Sequence, residues 1–183
     1  MSYRRDKDQK IADIKKAFTE VINNQGYDKT TIRQIAEKAE TSVGIIYRYF
    51  PEGKPSVAAA IYEDNLRETL PPYGFLEDDA GIEEQLLGHL NTHRDNVELY
   101  KAFDQAILAN YDVFGSIKRD RKEIMLGYAQ DKGILSENVD QWLTIYNVID
   151  AVIHRHLYID SVCDSDTRLI HVLRSIYDAV NKS

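Results

Sequence analysis

Cysteine, proline, glycine and long apolar runs are all scarce in this chain. The single cysteine is Cys163, so a disulfide-stapled scaffold is excluded and a reducing cytoplasm is the expected compartment. Four prolines and nine glycines in 183 residues are too few for collagen, low-complexity sequence or a protein of many short strands and turns. The longest apolar stretches are broken by Asn147, Asp150 and His154, and none reaches the ~20 apolar residues of a membrane span. Met1 to Lys10 is dense in charge and has no apolar signal core. The motifs of catalysis are also missing: there is no nucleophile elbow, phosphate loop or paired catalytic carboxylate motif. A helical di-metal enzyme would carry Glu three residues before its histidines. Leu86, Leu90, Ala151, Ile153 and Arg168 occupy those positions instead, so no enzyme is expected.

What is present reads as a globular helical protein. Hydrophobic residues make up 43% and charged residues 29%, a balance that argues against wholesale disorder. The length suffices to bury about 70% of the unfolded surface. Charge is unevenly placed. Residues 1–60 hold 11 Lys and Arg against 8 Asp and Glu, whereas residues 61–183 hold 12 against 22. A cationic head on an anionic body suits a protein that meets a polyanion with one end.

Periodicity is helical nearly throughout. Ile11, Ile14, Phe18, Val21 and Ile22 form one stripe, and Gly26 is placed as a C-terminal stop. Thr31-Ile-Arg-Gln34 reads as a capping box opening a second helix. Ser42 is a cap for a third helix ending near Phe50, and Pro55 suits the first turn of a fourth. The fourth runs to Leu70, where Pro71-Pro72 stops it, and residues 71–81 read as a loop. Further helices are predicted over Ile82 to Thr92, Asn96 to Asn110, Asp112 to Lys132, Ser136 to Ser161 and Asp164 to Asn181. With no alternating strand pattern, the expected fold is all-α.

Three short helices in the first 50 residues, the last two joined by a tight turn, describe a helix-turn-helix. Such a unit lays its third helix in the DNA major groove. In Ser42-Val-Gly-Ile-Ile-Tyr-Arg-Tyr-Phe50, Ile46 and Phe50 lie four apart and anchor one face. Ser42, Val43, Gly44, Tyr47, Arg48 and Tyr49 then fall towards the exposed side. Gly44 permits close approach to DNA, and hydroxyls and Arg48 reach phosphates or base edges.

Thr31-Ile-Arg-Gln-Ile-Ala36, Ile46-Tyr-Arg-Tyr-Phe-Pro51 and Lys54 resemble the N-terminal domain of TetR-type transcriptional regulators, over roughly residues 8–64. The resemblance implies a DNA-binding domain over residues 1–54 and a helical ligand-binding and dimerisation domain over 55–183, with 55–70 as the connecting helix. It implies that Thr31, Tyr47 and Tyr49 meet phosphates, that Ser42, Val43, Gly44 and Ile45 face the groove, and that Arg48 lies at bases or backbone. Lys54 would offer its ammonium and its helix N-terminus to a phosphate. The chain departs from the family pattern at Glu40, where glycine is usual, at Thr41, usually apolar, and in a Pro51-to-Lys54 loop one residue longer than usual. Val43 and Ile45 make the groove face more apolar than usual and would favour thymine methyl contacts.

The segment from Val139 to Val162 is apolar almost all round, so it must be central or shared with a second subunit. The last helix adds Leu169, Val172, Leu173, Ile176 and Val180. By the resemblance, these two helices pair with their copies in a homodimer. The aromatic-rich body suits a small-molecule pocket, walled by Phe103, Ile107, Trp142 and Tyr146 with Asp150 or His154 at its polar end. His89 and His93 stand four apart, but with no third acidic partner evident they read as surface polar residues, and no metal or other cofactor is expected. The expected function is a cytoplasmic, ligand-responsive regulator on a double-stranded DNA operator. The expected mode is repression, released by a small apolar or amphipathic effector. The alternatives are a helical regulator answering to a protein partner without a small-molecule pocket, and a helical enzyme or carrier.

Overall fold

A computed structural model describes residues 2–69, 81–131 and 139–181. The expected break at Pro71-Pro72 and the junction at Gly133 and Ser136 lie outside them. Every regular element among the described residues is a helix: α1 (Ser2–Gln25), α2 (Ile32–Lys38), α3 (Val43–Tyr49), α4 (Lys54–Thr69), α5 (Ile82–Asp95), α6 (Val97–Ala109), α7 (Tyr111–Asp131), α8 (Val139–Tyr158) and α9 (Asp166–Asn181). The all-α expectation holds.

Local chemistry sets the boundaries in the first 60 residues. Gly26 ends α1 at φ +79 and donates its N–H to the Ile22 carbonyl at 2.8 Å. At the start of α2, Thr31 Oγ1 accepts from the Gln34 N–H at 3.3 Å, and the Thr31 N–H donates to Gln34 Oε1 at 2.8 Å. The capping box therefore forms. Ser42 Oγ accepts from the Ile45 N–H and opens α3. Pro55 is the second residue of α4, where its missing N–H leaves nothing unsatisfied.

The turn between α2 and α3 keeps its left-handed residue without glycine. Glu40 has φ +48. Its N–H donates to the Glu37 carbonyl at 3.1 Å, and the Thr41 N–H donates to the Ala36 carbonyl at 2.9 Å. These are the two bonds of a Schellman motif. A left-handed non-glycine residue costs roughly 1–2 kcal/mol, part of which glycine would return as unfolded-state entropy. Glu40→Gly is therefore expected to stabilise the protein by up to about 1 kcal/mol, read as a rise in the urea midpoint at unchanged slope. A lower midpoint would show that the glutamate side chain itself holds the turn.

The chain divides into two compact units. One comprises residues 1–65 with 98–118, the other residues 66–97 with 119–183. The core of the first is Ile14, Phe18 and Ile22 of α1, Ile35 of α2, Ile46 of α3 and Val57 of α4, all at 0% exposure. Each such side chain contributes about 1.5–3 kcal/mol on burial. Polar ties tighten this unit: Lys15 Nζ reaches Asp64 at 2.6 Å and the Ala60 carbonyl at 3.1 Å, joining α1 to α4. Lys38 pairs with Glu20 at 2.8 Å, joining α2 to α1. Phe103 of α6 is buried in the same unit, edge-on to Tyr62 and Tyr100.

In the second unit α5, α8 and α9 share one core: Ile82, Leu86 and Leu90 meet Ile145, Ile149 and Ile153 and Leu169, Ile170, Leu173 and Tyr177. The α9 stripe is thus taken up largely within the chain, since Leu169 and Leu173 are fully buried and Ile176 packs partly buried against the core. The nearly continuous apolar surface of α8 is divided. Val139, Trp142, Ile145, Ile149 and Ile153 face inward. Val148, beyond the helix Ile159, and Val162 stay exposed.

Candidate nucleic-acid interface and a buried histidine cluster

The α3 surface follows from its two anchors. Ile46 is fully buried and Phe50 nearly so. Ser42, Val43, Gly44, Tyr47 and Arg48 are therefore exposed, while Ile45 and Tyr49 are half-buried. Thr31 is exposed at the start of α2. Beyond its chain neighbours and its own helix backbone, a Cβ built on Gly44 would meet Ser42 Oγ first, at 3.9 Å. Nothing within the protein demands glycine there.

The loop before α4 is resolved by Gly53. Its φ is +67, and a Cβ there would come within 3.3 Å of Ile32 and Tyr47. The glycine accordingly lets the loop close beneath the Tyr47 ring. Lys54 begins α4, but its Nζ is turned to the Tyr27 carbonyl at 2.8 Å and lies 4.2 Å from the Tyr27 ring centroid. Burial lowers the Lys54 pKa, opposed by the Asp28 charge.

A second constellation lies in the other unit. His89 and His93 are one turn apart on α5 and share a face; Asp150 and His154 are one turn apart on α8. His89 and His93 are 4% and 2% exposed, which corrects the expectation of surface polar residues. Their Nε2 atoms stand 3.3 and 3.2 Å from Asp150 Oδ1, and His154 Nε2 stands 3.6 Å from the same oxygen. The His93 ring is 4.3 Å from that of His89 and 5.0 Å from that of His154, centroid to centroid. Tyr146 sits edge-on to His89, and Tyr158 tilts over His154. Burial lowers the His89 pKa, opposed by the Asp150 carboxylate. Burial raises Asp150, but the neighbouring His89 and His93 imidazoles and the charge of His154 outweigh it, holding the carboxyl well below the usual carboxylate range.

The profile of the bacterial regulatory proteins, tetR family, matches residues 14–61. That match places a tetR-type regulatory domain in the N-terminal part of the chain. Likeness of fold spans nearly the whole chain. A TetR transcriptional regulator from Rhodococcus sp. RHA1 superposes with a TM-score of 0.70 at 20% identity, covering 95% of this chain and 98% of that one. A protein assigned to the TetR-family transcriptional regulators from Mesorhizobium loti MAFF303099 gives 0.62 at 17% identity, covering 96% of each. At such identities these likenesses establish the fold. A search of curated proteins found no match. Residues 14–61, which hold α2 and α3, are thus similar to the helix-turn-helix region of bacterial regulatory proteins.

The residues expected to wall an effector pocket do not share one compact unit. Phe103 and Ile107 belong to the first unit, Trp142, Tyr146, Asp150 and His154 to the second. Trp142 is 6% exposed and Tyr146 half-buried. His89 and His93 were missed as partners of Asp150 because more than 50 positions separate the two pairs in sequence. The available signal was the repeated spacing, two pairs of donors each four apart on apolar helices. No described helix is long and apolar enough to cross a membrane.

Proposed function

We propose that the chain is a dimeric, effector-responsive repressor, without enzymatic activity, that works on operator DNA in the cytoplasm. The observation that carries the reading is the exposed α3 face, with Gly44 open at its centre. In this reading Thr31, Tyr47, Tyr49 and the α4 N-terminus at Lys54 meet phosphates. Ser42, Val43, Gly44 and Ile45 face the groove, and Arg48 reads a base edge. Residues 1–54 act as the DNA-binding domain and 55–183 as the effector and dimerisation domain.

Two-fold operators need two copies of α3 about 34–36 Å apart. The copies would be joined along α8, whose outer face presents an open groove of about 760 Å³ between Thr144, Val148, Val152 and Val162. An effector that binds the alternative dimer conformation better draws the protein off DNA, and linkage requires DNA to weaken effector binding by the same factor. The effector groups of α8 are Trp142, Tyr146, Asp150 and His154. The convergence of imidazoles on Asp150 shifts the favoured effector chemistry from apolar to polar. Trp142 is the only tryptophan, so its fluorescence should report occupancy.

The test is selection of bound duplexes from a random pool, followed by salt titration of the selected site. Arg48→Ala is expected to weaken that site by about 1–3 kcal/mol and to relax preference at one base pair. A uniform loss across sequences with a shallower salt slope would move Arg48 to the phosphates. Failure to select any sequence would remove the regulator reading.

A further inference from the structure

We propose that His89, His93, Asp150 and His154 form a binding site for a divalent first-row transition-metal ion of the zinc class. The site stands on side-chain geometry alone. A further step, that the ion is the effector, rests on the repressor reading above.

Three donors of the right kind, His89, His93 and Asp150, meet at one point, and His154 stands beside them. Each helix supplies a pair four residues apart, α5 giving His89 and His93 and α8 giving Asp150 and His154, so each pair lies on a single helical face. The three Nε2 atoms are buried and surround one carboxylate oxygen at 3.3, 3.2 and 3.6 Å. In a tetrahedral site with bonds of about 2.0–2.1 Å, neighbouring donors stand roughly 3.3–3.4 Å apart. The His89 and His93 distances to that oxygen already lie close to that edge, and His154 stands farther out at 3.6 Å. The donor atoms of His89, His93 and Asp150 all lie within 4.8 Å of one another, so closing on an ion takes side-chain rotation and no rearrangement of helices.

The tautomer of His93 points the same way. Its Nδ1 is 3.0 Å from the His89 carbonyl. A carbonyl only accepts, so Nδ1 carries the hydrogen. This is the outer-shell bond by which ligating histidines are oriented. In the singly protonated ring, Nε2 then offers a lone pair towards the Asp150 oxygen, an arrangement that a cation between them makes favourable. A proton is the rival occupant, giving an imidazolium–carboxylate pair. The imidazole-rich donor set selects zinc, nickel or cobalt over magnesium and calcium, which prefer oxygen cages.

The experiment uses the full chain, stripped with chelator and titrated with Zn²⁺ by calorimetry and with Co²⁺ by visible absorption. One ion per chain is expected, unaffected by millimolar Mg²⁺ or Ca²⁺. Co²⁺ should show the intense visible bands of a low-coordinate nitrogen and oxygen site. His93→Ala and the near-isosteric Asp150→Asn should each weaken Zn²⁺ binding by at least about 100-fold, since even outer-shell changes cost 10–100-fold. His171→Ala, exposed and outside the cluster, should leave it unchanged. Far-UV circular dichroism of the metal-free variants confirms that they are folded. No Zn²⁺ binding by the wild type, or equal binding by folded Asp150→Asn, overturns the site in favour of the proton. Operator affinity measured with and without Zn²⁺ separates the second step. A site that fills without changing operator affinity overturns the effector role, whereas no operator binding under either condition sinks the repressor reading and leaves the metal site standing.

Discussion

In the proposed dimer, Val148→Asp should separate the two subunits and lower operator affinity by about 10²–10⁴-fold. Val148 lies on α8 at 39% exposure, on the outer side of a helix whose opposite side, Ile145, Ile149 and Ile153, fills the core. Exposed Val162 lines the same groove, and Ile159 follows the helix at 73% exposure. Exposed apolar side chains gathered along one groove suit an interface. A carboxylate buried there without a partner costs several kcal/mol. The isolated subunit, in which position 148 meets water, should keep its stability within about 0.5 kcal/mol. Once the two α3 helices are unlinked, the second half-site contact is no longer intramolecular, and the multivalent gain is lost. Sedimentation velocity and operator titration check the two halves of the expectation. A variant that stays dimeric with full operator affinity would move the seam to another face.

Gly44→Leu should remove operator binding, by at least about 100-fold or 2.8 kcal/mol, while leaving the fold intact or slightly firmer. Inside the chain there is room for a side chain, because beyond its chain neighbours and its own helix backbone a Cβ would meet nothing nearer than 3.9 Å. Glycine is a poor helix former, and Leu in its place gains up to about 1 kcal/mol of helix propensity. If the backbone at Gly44 lies against the groove, the added side chain must displace the whole recognition helix from the bases. Stability and affinity should therefore move in opposite directions. Thermal unfolding with mobility shift on the selected duplex reads both. A folded variant with unchanged affinity would show that α3 meets DNA through another face.

The N-terminal unit was legible because its chemistry is local. Thr31 with Gln34, Ser42 with Ile45, Gly26 and Pro55 each act within four residues, and the structure carries all of them. Ile46 and Phe50 were readable as anchors from their spacing, and the exposed set followed. Glu40 shows where a residue rule is softer than the geometry behind it. The turn requires a positive φ and two backbone bonds, and glutamate adopts both at a cost in strain. Lys54 shows the converse, since its ammonium is taken by Tyr27, whose carbonyl is 27 positions away in sequence.

The second unit was legible only as helices. Periodicity placed α5, α8 and α9 to within a few residues, but an amphipathic stripe does not say which partner covers it. Leu169 and Leu173 carry the same pattern whether they face α5 or a second subunit, and packing assigned them to the chain's own core. His89 and His93 looked solvent-facing because hydropathy ranks histidine as polar wherever it sits.

From the sequence alone came the all-α fold, the caps and turns of the helix-turn-helix, the identity of its anchoring residues and the TetR resemblance. All of these depend on interactions within a few residues or on a pattern repeating every 3.6. The tertiary structure alone decided that α8 splits its apolar surface between core and exterior, and that Asp150 stands among three imidazoles from two helices. Those outcomes depend on which helices meet and at what rotation. That is settled by close packing of whole faces, which no short window of sequence contains.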